Sequence, residues 1–510
     1  MRPATLVRLA LAGTRTDTAR VVLTALSALL ATLAGLAALT VLAIPTPAAT
    51  DGNANRWSEQ YRSGLLVEPG LRGGTAFALL MLTIPVLALA GQCARLGAPS
   101  RDRRLAALRL AGTTPGQVTR LVMLETGLAG LLGTLVGLGA YLGGRELLHR
   151  PDEQGRLALP TDVLPSTGAL AAVVLGLPVI AALATALMLR TVTTSPLGVS
   201  RKAARERGPR PWAGLLIGLG LVSFAAVRPV LYQLDGNDQM LVRLVPLLLL
   251  AGGLAAMIGV VIGTGWISYT CGRLLRRHAR RPPALLAAGR LMADPWAGSR
   301  TFAALLAAVI FGAGAAGQRA YFTAQDELDR EQNRLVGVDS GADPFYLSTM
   351  DLVDAAVAVA VLIAAGGLIV ALVEGIVARR RAYAALVATG VPRAALSRSV
   401  AWQALAPAVP AILLALTVGT LLGRGLFGRV TAGGSSMEVC DAGASLCDDP
   451  ATREQYTRLV QTPPVERALE VPLEQLAWLG AGALAAVLVT VGVGLLFLRV
   501  STAVEELRTT

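Results

Sequence analysis

Residues Arg103–Glu125 read RRLAALRLAGTTPGQVTRLVMLE, and residues Arg379–Gln403 read RRRAYAALVATGVPRAALSRSVAWQ. Each stretch runs from an arginine cluster through a short apolar segment to a glycine, a proline and a long hydrophobic run. Pro115 and Pro392 mark the same point in both, so the chain reads as two related halves. In the first copy Leu105, Leu108 and Ala111 fall three apart and form one apolar face, with Arg101, Arg104 and Arg109 around it. Gly112 suits the position that ends a helix. Thr114-Pro115-Gly116-Gln117 then starts another, with Thr at N-cap, Pro at N1 and Gln at N3. The second copy keeps Gly390 and Pro392 but has Val391 where the capping hydroxyl would stand, which predicts a less firmly capped corner.

The composition places these elbows in a membrane protein. Hydrophobic residues make up 54%, charged residues 15%, and mean hydropathy is +0.59, too apolar for a soluble chain of this length. A bilayer core needs about 20 apolar residues per helix. Ten such runs are legible, at 21–44, 72–91, 119–143, 168–189, 212–228, 244–267, 301–317, 353–377, 400–423 and 473–498. They lack period-two alternation, which excludes an outer-membrane barrel. The net charge of +13 is distributed by side. With the N-terminus in the cytoplasm, the cytoplasmic segments hold 30 Lys+Arg against 6 acids, and the external ones 16 against 23. This is the positive-inside pattern; it puts both termini and both elbows in the cytoplasm and accounts for the basic balance without nucleic acid. Pro47-Ala48-Ala49 follows the first run, but that run exceeds the roughly 7–15 residues of a signal-peptide core and reads as an uncleaved anchor.

An all-α polytopic architecture follows. It comprises a four-span unit (1–200), a two-span connector (201–285) and a second four-span unit (286–510), with the repeats in the same orientation. Arginine-bounded amphipathic lead-ins, Arg8–Arg20 and Arg290–Arg300, precede the first span of each unit. External loops at 318–352 and 424–472 have the length for small caps only. Cys440 and Cys447, both in the last external loop, are placed for a disulfide. Two cysteines without histidine make a poor zinc site, and no metal site is expected. No catalytic constellation stands out. The only lysine, Lys202, lies in SRKAAR, without the glycines or hydroxyl of a Walker A loop, so the chain is not itself an ATPase. Within the spans, Glu125 and Gln403, which stands near where Glu125 would map in the second copy, are the candidate intramembrane polar residues.

The pattern of Arg-Arg, apolar helix, Ala-Gly-Thr-Thr-Pro, Gln-Val, Arg, Leu-Val and a following Glu resembles the signature of FtsX-like permeases, membrane subunits of ABC systems of the MacB architecture. The likeness covers about 72–200 and 353–498, and SPLGVSR after the fourth span resembles the family's closing motif. The second copy departs from it at Gln403 and at Thr389-Gly390-Val391. The resemblance implies a duplicated ten-span permease in the bacterial cytoplasmic membrane, in which each elbow is a coupling helix docked on a cytoplasmic ABC ATPase present in two copies. It implies docking faces at Arg103, Arg104, Leu105, Leu108 and Arg109, and at Arg380, Arg381, Tyr383 and Leu386, with corners at Pro115 and Pro392. ATP and magnesium would bind the partner and no cofactor this chain. The leading expectation is export of a hydrophobic or amphipathic substrate (an antibiotic, peptide or lipid) taken from the membrane. The alternatives are a transmitter acting on an extracellular partner such as a cell-wall hydrolase, and a gradient-driven secondary transporter.

Overall fold

A computed structural model describes residues 15–45, 58–68, 112–193, 211–233, 239–336, 345–434, 436–440 and 456–501, with residue 110 and scattered positions from 72 to 83. In chain order the helices are α1 (Arg15–Ala43), α2 (Gly64–Val67), α3 (Pro115–Leu148), α4 (Thr167–Thr193), α5 (Ala213–Gln233) and α6 (Gln239–His278). They continue as α7 (Pro282–Ala293), α8 (Pro295–Val336), α9 (Phe345–Ala378), α10 (Arg380–Ala388), α11 (Arg393–Phe427) and α12 (Leu473–Ser501). Seven of them, α1, α3, α6, α8, α9, α11 and α12, are long and apolar enough to cross a bilayer, and α4 and α5 carry shorter apolar stretches. Most of the expected span at 72–91 falls outside the described residues, as does about half of the first lead-in.

The two halves use the same packing device. In the first, α1 and α4 flank α3, and Gly133 and Gly137 of α3 lie against α1. A methyl at Gly133 would overlap the Ala25 backbone, and one at Gly137 would crowd Leu29 and Thr32. In the second, α8 and α12 flank α11, and Gly419 and Gly423 lie against Ile310, Ala313, Gly314 and Gly317 of α8. The two glycine pairs sit in GTLVG (133–137) and GTLLG (419–423). Between lipid-solvated helices there is little hydrophobic drive to associate, so close backbone approach and interhelical hydrogen bonds hold the pair. The first half adds such bonds. Thr134 donates to the Val174 carbonyl of α4 at 3.0 Å. Thr40 donates to the Leu36 carbonyl and therefore accepts from the Tyr141 hydroxyl at 2.6 Å.

Helix α8 is the centre of the second half, with Leu305, Leu306 and Val309 fully buried among α6, α9, α11 and α12. The connector helices α5 and α6 pack on this half, against α11 and α8. Amphipathic α7 lays Ala284, Ala287, Ala288 and Leu291, spaced as one helical stripe, onto α6 and α11. It begins eight residues before the expected lead-in and stops at Asp294, because Pro295 disfavours helical backbone in the residue before it.

One expectation is corrected on the side opposite the elbows. Residues 318–336 are not loop but the continuation of α8, whose 42 residues span about 63 Å, twice the ~30 Å bilayer core. Hydropathy ended that span too early. The polar stretch AQDELDREQNRL (324–335) consists mostly of good helix formers and carries an Asp326–Arg330 pair one turn apart at 2.5 Å. The all-α membrane architecture carries one small β element in the loop between α11 and α12. Strands β1 (Arg429–Ala432), β2 (Ser436–Cys440), β3 (Thr457–Gln461) and β4 (Val465–Ala468) form a nested antiparallel ribbon, β1 with β4 and β2 with β3. Its base packs Val430 and Leu469 against Leu328, Tyr321 and Ala324 of α8, and Arg467 reaches Glu327 and Glu331 at 3.7 and 3.8 Å.

The first half carries its own cap at the end away from its elbow. Buried Arg72 donates five hydrogen bonds, to the carbonyls of Ile44, Pro45, Leu66 and Val67 and to the Ser58 hydroxyl. Beside it Tyr61 donates to Asp162 at 2.8 Å; burial first, then that hydrogen bond, push the phenol's pKa up to about 12, so it remains a donor. The halves touch at this side, where Gly64 lies so close to Phe345 at the start of α9 that a side chain there would overlap the ring. Phe322 stacks on Tyr346 at 4.7 Å, and Tyr321 approaches Phe427 at 5.4 Å, an aromatic belt of the kind found at membrane interfaces. Arg319 of α8 ties in Asp351 and Asp354 of α9 just below it.

Gly419→Leu is expected to separate α8 from α11 at a cost of about 1–3 kcal/mol, measured as a lowered thermal midpoint of the detergent-purified protein. Gly143→Ala, where an added methyl meets open space in α3, should leave it equal or raise it.

Candidate functional site

The elbows are built from backbone chemistry first. In the first, Gly112 adopts φ +87° and Thr114 caps α3. The Thr114 hydroxyl accepts from the Gln117 amide at 3.4 Å while Gln117 Oε1 accepts from the Thr114 amide at 3.2 Å, the reciprocal capping box the spacing predicts. Pro115 opens the helix, and Val118, Leu121 and Val122 are buried in the next turn. In the second elbow Gly390 adopts φ +92°. The Gly390 amide bonds to the Val387 carbonyl and the Val391 amide to the Leu386 carbonyl, each at 3.0 Å. Those two bonds are a complete Schellman motif, with Val391 and Leu386 packed in one apolar cluster as its hydrophobic contact. Pro392 then stands at the N-cap of α11, with no side-chain capping bond. The second corner therefore lacks the cap of the first, as expected, but is fixed from the other side by its glycine turn.

Placement of the individual residues changes the picture of the docking faces. Arg103, Arg104, Leu105, Leu108 and Arg109 lie outside the described residues, as do the side chains of Pro115, Arg380 and Arg381. Tyr383 does not face outward. It is 3% exposed and packs with Ile376, Leu396, Val400 and Leu498, with half-buried Leu386 beside this cluster. The physical reason is that Tyr383, Leu386 and Val387 are the only large apolar stripe on a nine-residue helix, and the bundle offers a better apolar surface than water. The outward face of α10 presents Ala382, Ala385 and Ala388 instead.

A partner that sequence reasoning missed is Arg290 of α7. Its Nη1 donates to the Tyr383 hydroxyl at 2.5 Å, and its guanidinium carbon stands 4.7 Å from the Tyr383 ring centroid. A cation over an aromatic face and a hydrogen bond to its hydroxyl together latch the second elbow to the surface helix. The signal was present in the apolar stripe of α10, but its partner lies 93 residues away and only the fold supplies it.

Glu125 is buried about ten residues, roughly 15 Å, along α3 from its corner, and it has a partner there. Gln403, its counterpart in α11, donates to the Ser399 hydroxyl at 3.2 Å. The carboxylate and amide thus lie at similar depths, ten and eleven residues from Pro115 and Pro392. At the opposite end, Cys440 closes β2 and is disulfide-bonded, while Cys447 lies outside the described residues. Among the described residues no group of three or more His, Cys, Asp or Glu side chains is placed to hold a metal ion.

The FtsX-like permease C-terminal family model matches residues 75–197 and again 355–505. Each match begins at the second span of a four-span unit and runs through the elbow to the end of the fourth. The chain belongs to the FtsX-like permease family, in duplicated form, and is a multi-pass cell-membrane protein of the class that serves as permease subunit of an ABC system. Members of this class generally have no ATPase site of their own and work with a cytoplasmic ABC ATPase. No curated protein and no solved structure matches the chain.

Gly390→Ala should cost about 1 kcal/mol because an L side chain is disfavoured at φ +92°. Thr114→Ala should cost a similar ~1 kcal/mol through loss of its cap. Both are read as lowered thermal midpoints, and a Gly390→Ala protein as stable as wild type would contradict the left-handed turn.

Proposed function

We propose that this protein supplies both halves of an ABC permease and couples ATP hydrolysis by two ATPase copies to outward export of a hydrophobic or amphipathic substrate. The observation that carries the reading is the duplicated FtsX-like match with an elbow of the same construction in each copy. The elbow end is the cytoplasmic one, with both termini on that side. The docking faces are Arg103, Arg104, Leu105, Leu108 and Arg109 in the first elbow, and Arg380, Arg381 and the Ala382–Ala385–Ala388 face in the second. Tyr383 and Leu386 act behind that face, passing its displacement into α9 and α11. Closure of the ATPase dimer would draw the elbows together and tilt α3 and α11 from their rigid corners. Close packing of α11 on α8 would carry the tilt to the outer cap, because α8 continues into it unbroken. MacB-type transport of an antibiotic, peptide or lipid is the finer reading, supported by the small size of the outer caps. We assign the partner of Cys440 to Cys447, a bond that would staple the tip of the ribbon.

A second reading shares every step except the last. The α8 extension and the β-ribbon form an outer cap bridged by Arg467 to Glu327 and Glu331, a lever able to act on an extracellular partner such as a cell-wall hydrolase. Substrate-stimulated ATP hydrolysis in lipid discs favours export, and nucleotide-dependent capture of such a partner favours transmission.

Leu105→Asp combined with Ala385→Asp should abolish co-purification of ATP-hydrolysing activity with the tagged permease while the permease remains folded. Each substitution puts an unpaired charge into a desolvated contact. Retention of the ATPase by the double variant would rule out docking at the elbows.

A further inference from the structure

A half-open cavity of about 160 Å³ lies behind the second elbow, bounded by residues of α7, α8, α9, α10, α11 and α12. Its walls include Phe302, Leu368, Leu372, Val487 and Val491. Arg290 and Arg379 also line it, the first half-buried, the second exposed at the turn between α9 and α10. Neither guanidinium has a carboxylate partner among the described residues; Arg290 contacts the Tyr383 hydroxyl and ring, which leaves its Nε and Nη2 for another acceptor. The one carboxylate in the lining, Asp294, has an interaction of its own. Two guanidiniums with no ion-pair partner among the described residues, beside an apolar hollow in a membrane protein, make a site for an anion carrying an apolar body.

We propose that this cavity binds an anionic phospholipid from the leaflet on the elbow side, with its phosphate between Arg290 and Arg379 and the start of one acyl chain along Phe302, Leu372 and Val491. At about 160 Å³ the hollow is too small for a whole lipid, so the rest of the molecule stays in the bilayer. The apolar walls disfavour a free inorganic anion, which would leave them wet. The occupant touches α7, α9 and α10 together, so the occupied site braces the elbow against the bundle and the empty one leaves it to its apolar cluster around Tyr383. Lipid composition thereby becomes an input to whatever the elbow transmits. The assignment concerns binding by the permease itself and stands or falls separately from the pairing with an ATPase.

The test is native mass spectrometry of the purified full chain titrated with phosphatidylglycerol or with phosphatidylcholine of the same acyl chains. Wild type is expected to retain one phosphatidylglycerol about ten-fold more tightly than phosphatidylcholine. Arg379→Ala, an exposed position, should remove that preference. Gly375→Leu keeps both arginines but fills the hollow, since a side chain there meets open space, and it should abolish retention of either lipid. Excess inorganic phosphate should not displace the bound lipid. Equal retention of the two lipids by wild type, unchanged retention in Gly375→Leu, or displacement by inorganic phosphate would each overturn the proposal.

Discussion

Backbone contact between α8 and α11 is the constraint on which the second half depends. Gly419 and Gly423 bring α11 against the carbonyls and small side chains of Ile310, Ala313, Gly314 and Gly317. No larger residue fits there, and every neighbouring element takes its place from that pair. Helices α6, α9 and α12 bury Leu305, Leu306 and Val309 around it, and the connector helix α5 lies along α11. The pair also joins the two ends of the molecule. Helix α11 starts at the Schellman–proline corner, whereas α8 ends about 63 Å from its start, under the β-ribbon. A movement imposed on the corner has a stiff path to the cap at the far end because helices packed at backbone distance do not slide freely past each other.

The two elbows solve one mechanical problem with different chemistry. In the first, Thr114 and Gln117 satisfy amides at the start of α3. In the second, the amides of Gly390 and Val391 satisfy the carbonyls that end α10, and Arg290 holds Tyr383 from the side. The first elbow is fixed at the helix it launches and the second at the helix it closes. The halves of a duplicated permease need not respond equally to equal displacement, and the exchange of Glu125 for Gln403 deepens the inequality.

Much of this was legible in the sequence because it rests on local rules. The two glycine–proline corners, the Thr114 capping box and most of the spans follow from residue chemistry within a few positions. The outer extension of α8 was hidden because hydropathy reports where lipid ends, not where a helix ends, and Ala324–Leu335 is polar but strongly helical. The ribbon was missed because strands of four or five residues in a charged loop, such as Val465–Ala468, carry no alternation long enough to register. The inward turn of Tyr383 was readable from its stripe with Leu386 and Val387, but the arginines around it drew the helix outward in the reading. Arg290 could not be paired with it from sequence, since nothing local links residues so far apart.

The central claim is that the second half moves as a rigid lever, elbow and far cap together. Electron-spin distance measurements on the complex with its ATPase test it most directly, after replacing Cys93 and Cys271 by serine and labelling cysteines placed at Leu110, Ala385 and Thr431. Trapping the ATP-bound state should shorten the Leu110–Ala385 distance between elbows while the Ala385–Thr431 distance, elbow to cap within the second half, keeps its width and mean. An unchanged distance between elbows, or an elbow-to-cap distance that broadens or shifts as they close, would contradict the account.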